Sequence, residues 1–120
     1  MLTRRSILAL SATLPAILPA GVARAHHGWG SYDTAKAFTL TGRIVKSAFD
    51  NPHCEIEVEG EGKTWSFVLA PPFRMQNRGI TADMIGPGKT CTVHGYPHKT
   101  NPREARIEHI TLDGKRFELR

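Results

Sequence analysis

His53-Cys54-Glu55-Ile56-Glu57-Val58-Glu59 is the stretch on which the fold turns. Its strict alternation puts Cys54, Ile56 and Val58 on one face and His53, Glu55, Glu57 and Glu59 on the other, the pattern of a half-buried strand. Upstream, Asp50-Asn51-Pro52 forces a turn, and residues 38–46 form a first strand that continues toward Phe49. Downstream, Gly60-Glu61-Gly62 makes a hairpin turn into a third strand over residues 63–70, with Trp65, Phe67 and Leu69 on one face.

Pro71-Pro72 stops this meander, and Pro72 starts a short helix that runs toward Arg78, with Gly79 as its C-terminal cap. A further turn is expected over residues 82–85. Residues 90–96 alternate again, with Cys91 and Val93 inward and His94 outward. After a loop over residues 97–102, a fifth strand over residues 103–112 carries Ala105, Ile107 and His109 out of phase with Arg106 and Glu108. Asp113-Gly114 is a turn signal, and residues 116–119 add a short terminal strand.

Three strands, one short helix and two more strands predict a mainly β domain. The expected form is a small Greek-key barrel resembling the oligonucleotide/oligosaccharide-binding fold, with the helix between strands 3 and 4. A β-sandwich is the rival architecture.

The first 25 residues read differently. Arg4 and Arg5 precede an apolar run from Ile7 to Val22, and Ala23-Arg24-Ala25 follows, the three-part order of a cleavable signal peptide. Pro15 and Pro19 interrupt the run, which is shorter than the ~20 residues a bilayer-crossing helix needs. Thr3-Arg4-Arg5-Ser6-Ile7-Leu8 fits a twin-arginine signal, although general secretory signals also carry paired arginines. The expected organisation is a signal over residues 1–25 and a single β-barrel domain over residues 26–120. Its expected location is the periplasm, with no integral membrane segment after cleavage.

Cleavage after Ala25 alters the electrostatics. The chain carries a formal net charge of +5, and Arg4, Arg5 and Arg24 leave with the signal. No Lys/Arg cluster remains that would neutralise a run of phosphates, so nucleic acid is not an expected partner. All six histidines are kept.

Cleavage also creates the most distinctive chemical feature, a new end reading His26-His27-Gly28-Trp29. An N-terminal histidine offers an amine and an imidazole to one metal ion, and a second imidazole completes a three-nitrogen, T-shaped site suited to Cu(II). This histidine brace is a likeness of chemistry and not of fold. His53 is the first choice for the distant ligand, because the Asn51-Pro52 turn leads it into a rigid strand. His94 is the second, and His98 lies in the adjoining loop.

Cys54 and Cys91 point inward, away from such a site. They read either as two small core residues or as one disulfide, which an oxidising compartment permits. No nucleophile constellation stands out, and Glu55, Glu57 and Glu59 on one strand face lack the convergence that acid/base catalysis needs. The chain therefore reads as a binding protein in preference to an enzyme, with an oxidative enzyme using the same copper ranked below both binding readings. The alternative to copper is a barrel that binds an unidentified ligand or periplasmic protein through a groove using Trp29 and Tyr32.

Several residues together match a known pattern: His26-His27, Asp33, Leu40-Thr41-Gly42, Asn51-Pro52-His53, Trp65, Pro71 through Gly79, Gly88, Gly95-Tyr96-Pro97 and Leu112-Asp113-Gly114. In these the chain resembles the small exported bacterial proteins of domain-of-unknown-function family 6152. The resemblance implies a periplasmic single-domain β protein and carries no established activity. Cys54 and Cys91 stand where aliphatic residues are expected in that pattern, so a disulfide would be peculiar to this chain.

Overall fold

The structure is a computed structural model that describes residues 28–120. The signal segment, its cleavage point and His26 lie outside the described residues.

Six strands and one α-helix follow one another as β1 (Phe38–Ala48), β2 (Glu55–Gly60), β3 (Lys63–Val68), α1 (Pro72–Asn77), β4 (Thr90–Pro97), β5 (Glu104–Leu112) and β6 (Lys115–Glu118). Their spatial order is β3-β2-β1-β4-β5-β6, and a parallel pairing of β3 with β5 joins the ends. That pairing decides between the two expected architectures. It closes β1, β2, β3, β5 and β4 into a barrel with no open edge, whereas a sandwich would leave two separate sheets. β6 extends the wall outside the barrel by pairing with β5.

Local chemistry explains the joints. The β2–β3 hairpin turns on Glu61 and Gly62, both at positive φ (54° and 78°), and the β5–β6 hairpin on Asp113 and Gly114 (52° and 80°). Two consecutive left-handed residues give the turn whose twist matches paired strands. α1 has Pro72 at its first position, where the missing N–H costs nothing. Its end is a Schellman motif: Ile80 N donates to Met75 O and Gly79 N to Gln76 O, with Gly79 at φ 93°. The two apolar residues of that motif, Met75 and Ile80, are fully buried.

Two bulges reset the inward face. Between Ile44 and Lys46 the register of β1 on β2 shifts, so Val45 is the extra residue. In β5 the register passes from His94↔His109 to Gly95↔Ile107, so Glu108 is the extra residue. Uniform alternation would have carried His109 inward with Ala105 and Ile107. The bulge instead buries Ile110 and Leu112 and turns His109 outward beside His94.

The core holds Leu40, Ile44, Ile56, Val58, Phe67, Leu69, Val93, Ile107 and Ile110, together with Cys54 and Cys91. Both cysteines are buried free thiols. Burial pushes each up to about 11, and the negative charge of Asp50 adds to the effect at Cys54. Among the described residues no helix is long and apolar enough to cross a membrane.

Candidate functional site

The segment ahead of β1 is laid across the outer face of the barrel. Two 3-10 turns, Trp29–Ser31 and Thr34–Lys36, carry it, and the Asp33 side chain accepts from Ala35 N at 3.0 Å to cap the second. Backbone bonds sew it to the end of β4: Asp33 N to Pro97 O at 2.8 Å and Lys99 N to Ser31 O at 2.9 Å, with a bridge between Tyr32 and His98.

Tyr32 anchors this segment. Its ring is 2% exposed, and its hydroxyl donates to Glu104 Oε2 at 2.7 Å. Burial, the bond to Glu104 and the charges of Glu104 and Glu55 push the phenol well above its ordinary range. Read from sequence as a groove residue, Tyr32 is instead packed beneath the surface. Trp29 is half-buried, with the guanidinium carbons of Arg106 and Arg120 each 4.6 Å from its ring centre and the Tyr96 ring set edge-on to it, centroids 5.8 Å apart. Cation–π contact with two arginines fixes the ring in place. Tyr96 donates to Glu108 Oε2 at 2.5 Å, and Glu108 lies 3.7 Å from Arg120.

His53 is half-buried, in the two-residue stretch between the cis Asn51-Pro52 bond and β2. Alternation along the chain puts it on the same side as Glu55. His94 is on the outward face of β4, its Nδ1 2.9 Å from Thr39 Oγ1 and its ring stacked on His109. His98 is committed to its loop: Nδ1 accepts from Thr100 N at 3.1 Å and Asn101 N at 2.9 Å, which makes Nε2 the protonated nitrogen.

Among the described residues no group of three or more His, Cys, Asp and Glu side chains could hold a metal ion. The structure thus does not bring His53 and His94 together in a group of three or more such side chains among the described residues. A hollow of about 460 Å³ beside Cys91, Met84 and Asp113 includes none of the histidines.

Arg106, Arg120, Glu104 and Glu108 are the residues that sequence reading passed over. Arg106 is nearly buried, and that burial lowers its guanidinium pKa. Outward alternation marks it as a solvated residue, and nothing local announces that Trp29, far upstream, covers it.

The closed barrel is shared with solved structures of the enzyme TiaS. A complex of TiaS with tRNA and ATP aligns with a TM-score of 0.51 at 16% identity, covering 74% of this chain and 20% of that one. A ZRD-deleted mutant of TiaS in complex with agmatine aligns at 0.50 and 17%, covering 73% and 25%. This chain spans only a fifth to a quarter of those proteins, and the likeness is one of fold. No curated protein matches in sequence. A family model matches residues 16–106, and the chain belongs to DUF6152, a family of unknown function.

Proposed function

We propose that the chain is an exported periplasmic barrel that binds copper through the N-terminus created by cleavage after Ala25, as a binding protein and not as an enzyme. His26 supplies its amine and imidazole, and His53 supplies the third nitrogen. The observation that carries this reading is the double anchoring of the segment starting at Gly28. Trp29 is held between Arg106 and Arg120, and Tyr32 is buried on Glu104. Two residues of chain, at most ~7 Å of reach, connect Gly28 to His26. An N-terminus tethered so close to a folded surface loses less freedom on binding metal than a free tail would.

His53 is preferred to His94 because the Asn51-Pro52 turn leads it directly into strand β2, and a rigid element holds a ligand better than a loop. The metal-free groove reading has less support, because Tyr32 is buried and Trp29 is enclosed by its own neighbours.

Nucleic acid remains an unfavoured partner despite the TiaS likeness. Barrels of this type take up oligonucleotides on strands 2 and 3, and here β2 presents Glu55, Glu57 and Glu59 outward. A polyanion would be repelled there.

The test is a Cu(II) competition titration on three proteins: one beginning at His26, one with a single glycine before His26, and His53→Ala. The reading expects tight one-to-one binding by the first and at least about a hundredfold loss in the other two. Equal affinity across all three would overturn it.

A further inference from the structure

β6 has a hydrogen-bonded neighbour on one side only, β5, and its other side is an open edge of the sheet. The register shows which backbone groups lie along that edge. Glu118 stands opposite His109, and Leu119 N donates to Glu108 O at 2.8 Å, so the ladder is bonded at Leu119. Bonded and non-bonded pairs alternate along an antiparallel ladder. Phe117 and Lys115 are therefore bonded to β5, while the N–H and C=O groups of Arg116 and Glu118 point the other way. Among the described residues no other element hydrogen-bonds to these groups. α1 reaches this part of the chain past the end of the strand, through Arg74 to Leu119 O and Arg78 to Arg120 O.

An open edge is a template for another strand, and folds commonly blunt it with a proline, a bulge or an inward-pointing charge. β6 contains no proline, its register on β5 is unbroken, and its buried residue is Phe117. Its outward side chains restrict what can pair with it. Arg116 and Glu118 share the outward face, 58% and 51% exposed, with Arg116 Nε 2.5 Å from Glu118 Oε2. A second β6 lying antiparallel can bond to this edge only if its own edge-facing residues come opposite Arg116 and Glu118. Centring the pair on Arg116, or on Glu118, sets like charges face to face, which is destabilising. Centring it on Phe117 sets each Arg116 opposite the Glu118 of the other copy, and every edge N–H and C=O finds a partner. The contact between Arg116 and Glu118 within each chain is compatible with this register, so positive and negative groups alternate around the symmetry axis.

We propose that β6 is a self-association edge, which joins two copies of this chain antiparallel about a twofold axis through Phe117 and continues the sheet from one barrel to the next. Such an interface is isologous and closes at two copies. It is built from backbone groups and the alternating Arg116 and Glu118 side chains, and it involves neither His26 nor His53.

Sedimentation equilibrium of the chain beginning at His26, at low salt, tests the proposal. An edge this short buries less than a standard interface, so a weak dimer is expected, with a dissociation constant on the order of 0.1 mM. Arg116→Glu and Glu118→Arg each create like-charge pairs across the axis and should weaken association about tenfold. An equimolar mixture of the two variants places opposite charges across the axis again and should recover wild-type association in trans. Thermal melts of the dilute variants verify that the monomer is intact. Between about 10 μM and about 1 mM the amides of Arg116 and Glu118 should gain about fivefold protection from hydrogen exchange by mass action. A protein that stays monomeric at about 1 mM would overturn the proposal. A dimer indifferent to the single reversals, or not recovered by the mixture, would place the interface elsewhere and equally overturn it.

Discussion

His94 and His109 stack face to face on adjacent antiparallel strands, ring centroids 4.7 Å apart and planes 7° apart. Partial burial, Arg116 and the neighbouring His94 hold His109 below the ordinary imidazole range, against a smaller opposing pull from Glu118 and Glu108. The unfolded chain, with an imidazole pKa of ~6.5, then takes up a proton before the folded one does. Stability rises with pH wherever the unfolded state binds more protons. The barrel should therefore lose stability as pH falls below about 6.5. His109→Gln should flatten that limb in thermal melts between about pH 5 and 7.5. Parallel curves for the two proteins would remove His109 from the account.

Gly42 and Gly95 sit where neighbouring strands approach too closely for a side chain. A Cβ at Gly42 would strike the Glu59 carbonyl oxygen and lie 2.7 Å from Val58 Cγ1, and one at Gly95 would strike the Arg106 carbonyl oxygen opposite the β5 bulge. Gly42→Ala and Gly95→Ala should each cost about 2–4 kcal/mol in urea unfolding, since backbone must move to relieve the overlap. Gly28→Ala, with open space around it, serves as the control and should be near neutral.

Cys54 and Cys91 are buried thiols raised to about 11. Attack on a thiol reagent needs thiolate and access. Neither cysteine should react with a disulfide reagent at about pH 8 until denaturant is added, when both should. A folded-state pKa raised above the unfolded value keeps its stability contribution below about 8.5 and loses it as pH climbs through about 11. The alkaline limb of the melting curve should accordingly be shallower in Cys91→Ala.

Tyr32 ties the N-terminal segment down through one hydroxyl. Tyr32→Phe removes the bond to Glu104 and should cost about 1–2 kcal/mol. Hydrogen exchange should show residues 28–37 opening while β1 stays protected. If those amides exchange at the wild-type rate, the anchor lies in Trp29 and not in Tyr32.

Much of the fold was legible because its signals are local. The alternation from His53 to Glu59, the Asp113-Gly114 turn, and the proline start and glycine end of α1 each report on a few neighbouring residues, and all six strands stand close to where those signals put them. The inward direction of His109 was misread, since a bulge at Glu108 breaks the period without any residue type to announce it. The site was legible only as a set of histidines. Its supporting cage joins Trp29 to Arg106 and Arg120 across most of the chain, and such pairings are decided by the packing of the closed barrel.

The central claim is a copper centre built on the processed N-terminus, and electron paramagnetic resonance of the Cu(II)-loaded protein beginning at His26 tests it most directly. The account predicts an axial spectrum with nitrogen coupling from three donors, which loses one nitrogen in His53→Ala and changes wholly when a single residue precedes His26. A spectrum of free Cu(II), or a bound one indifferent to both changes, would contradict it.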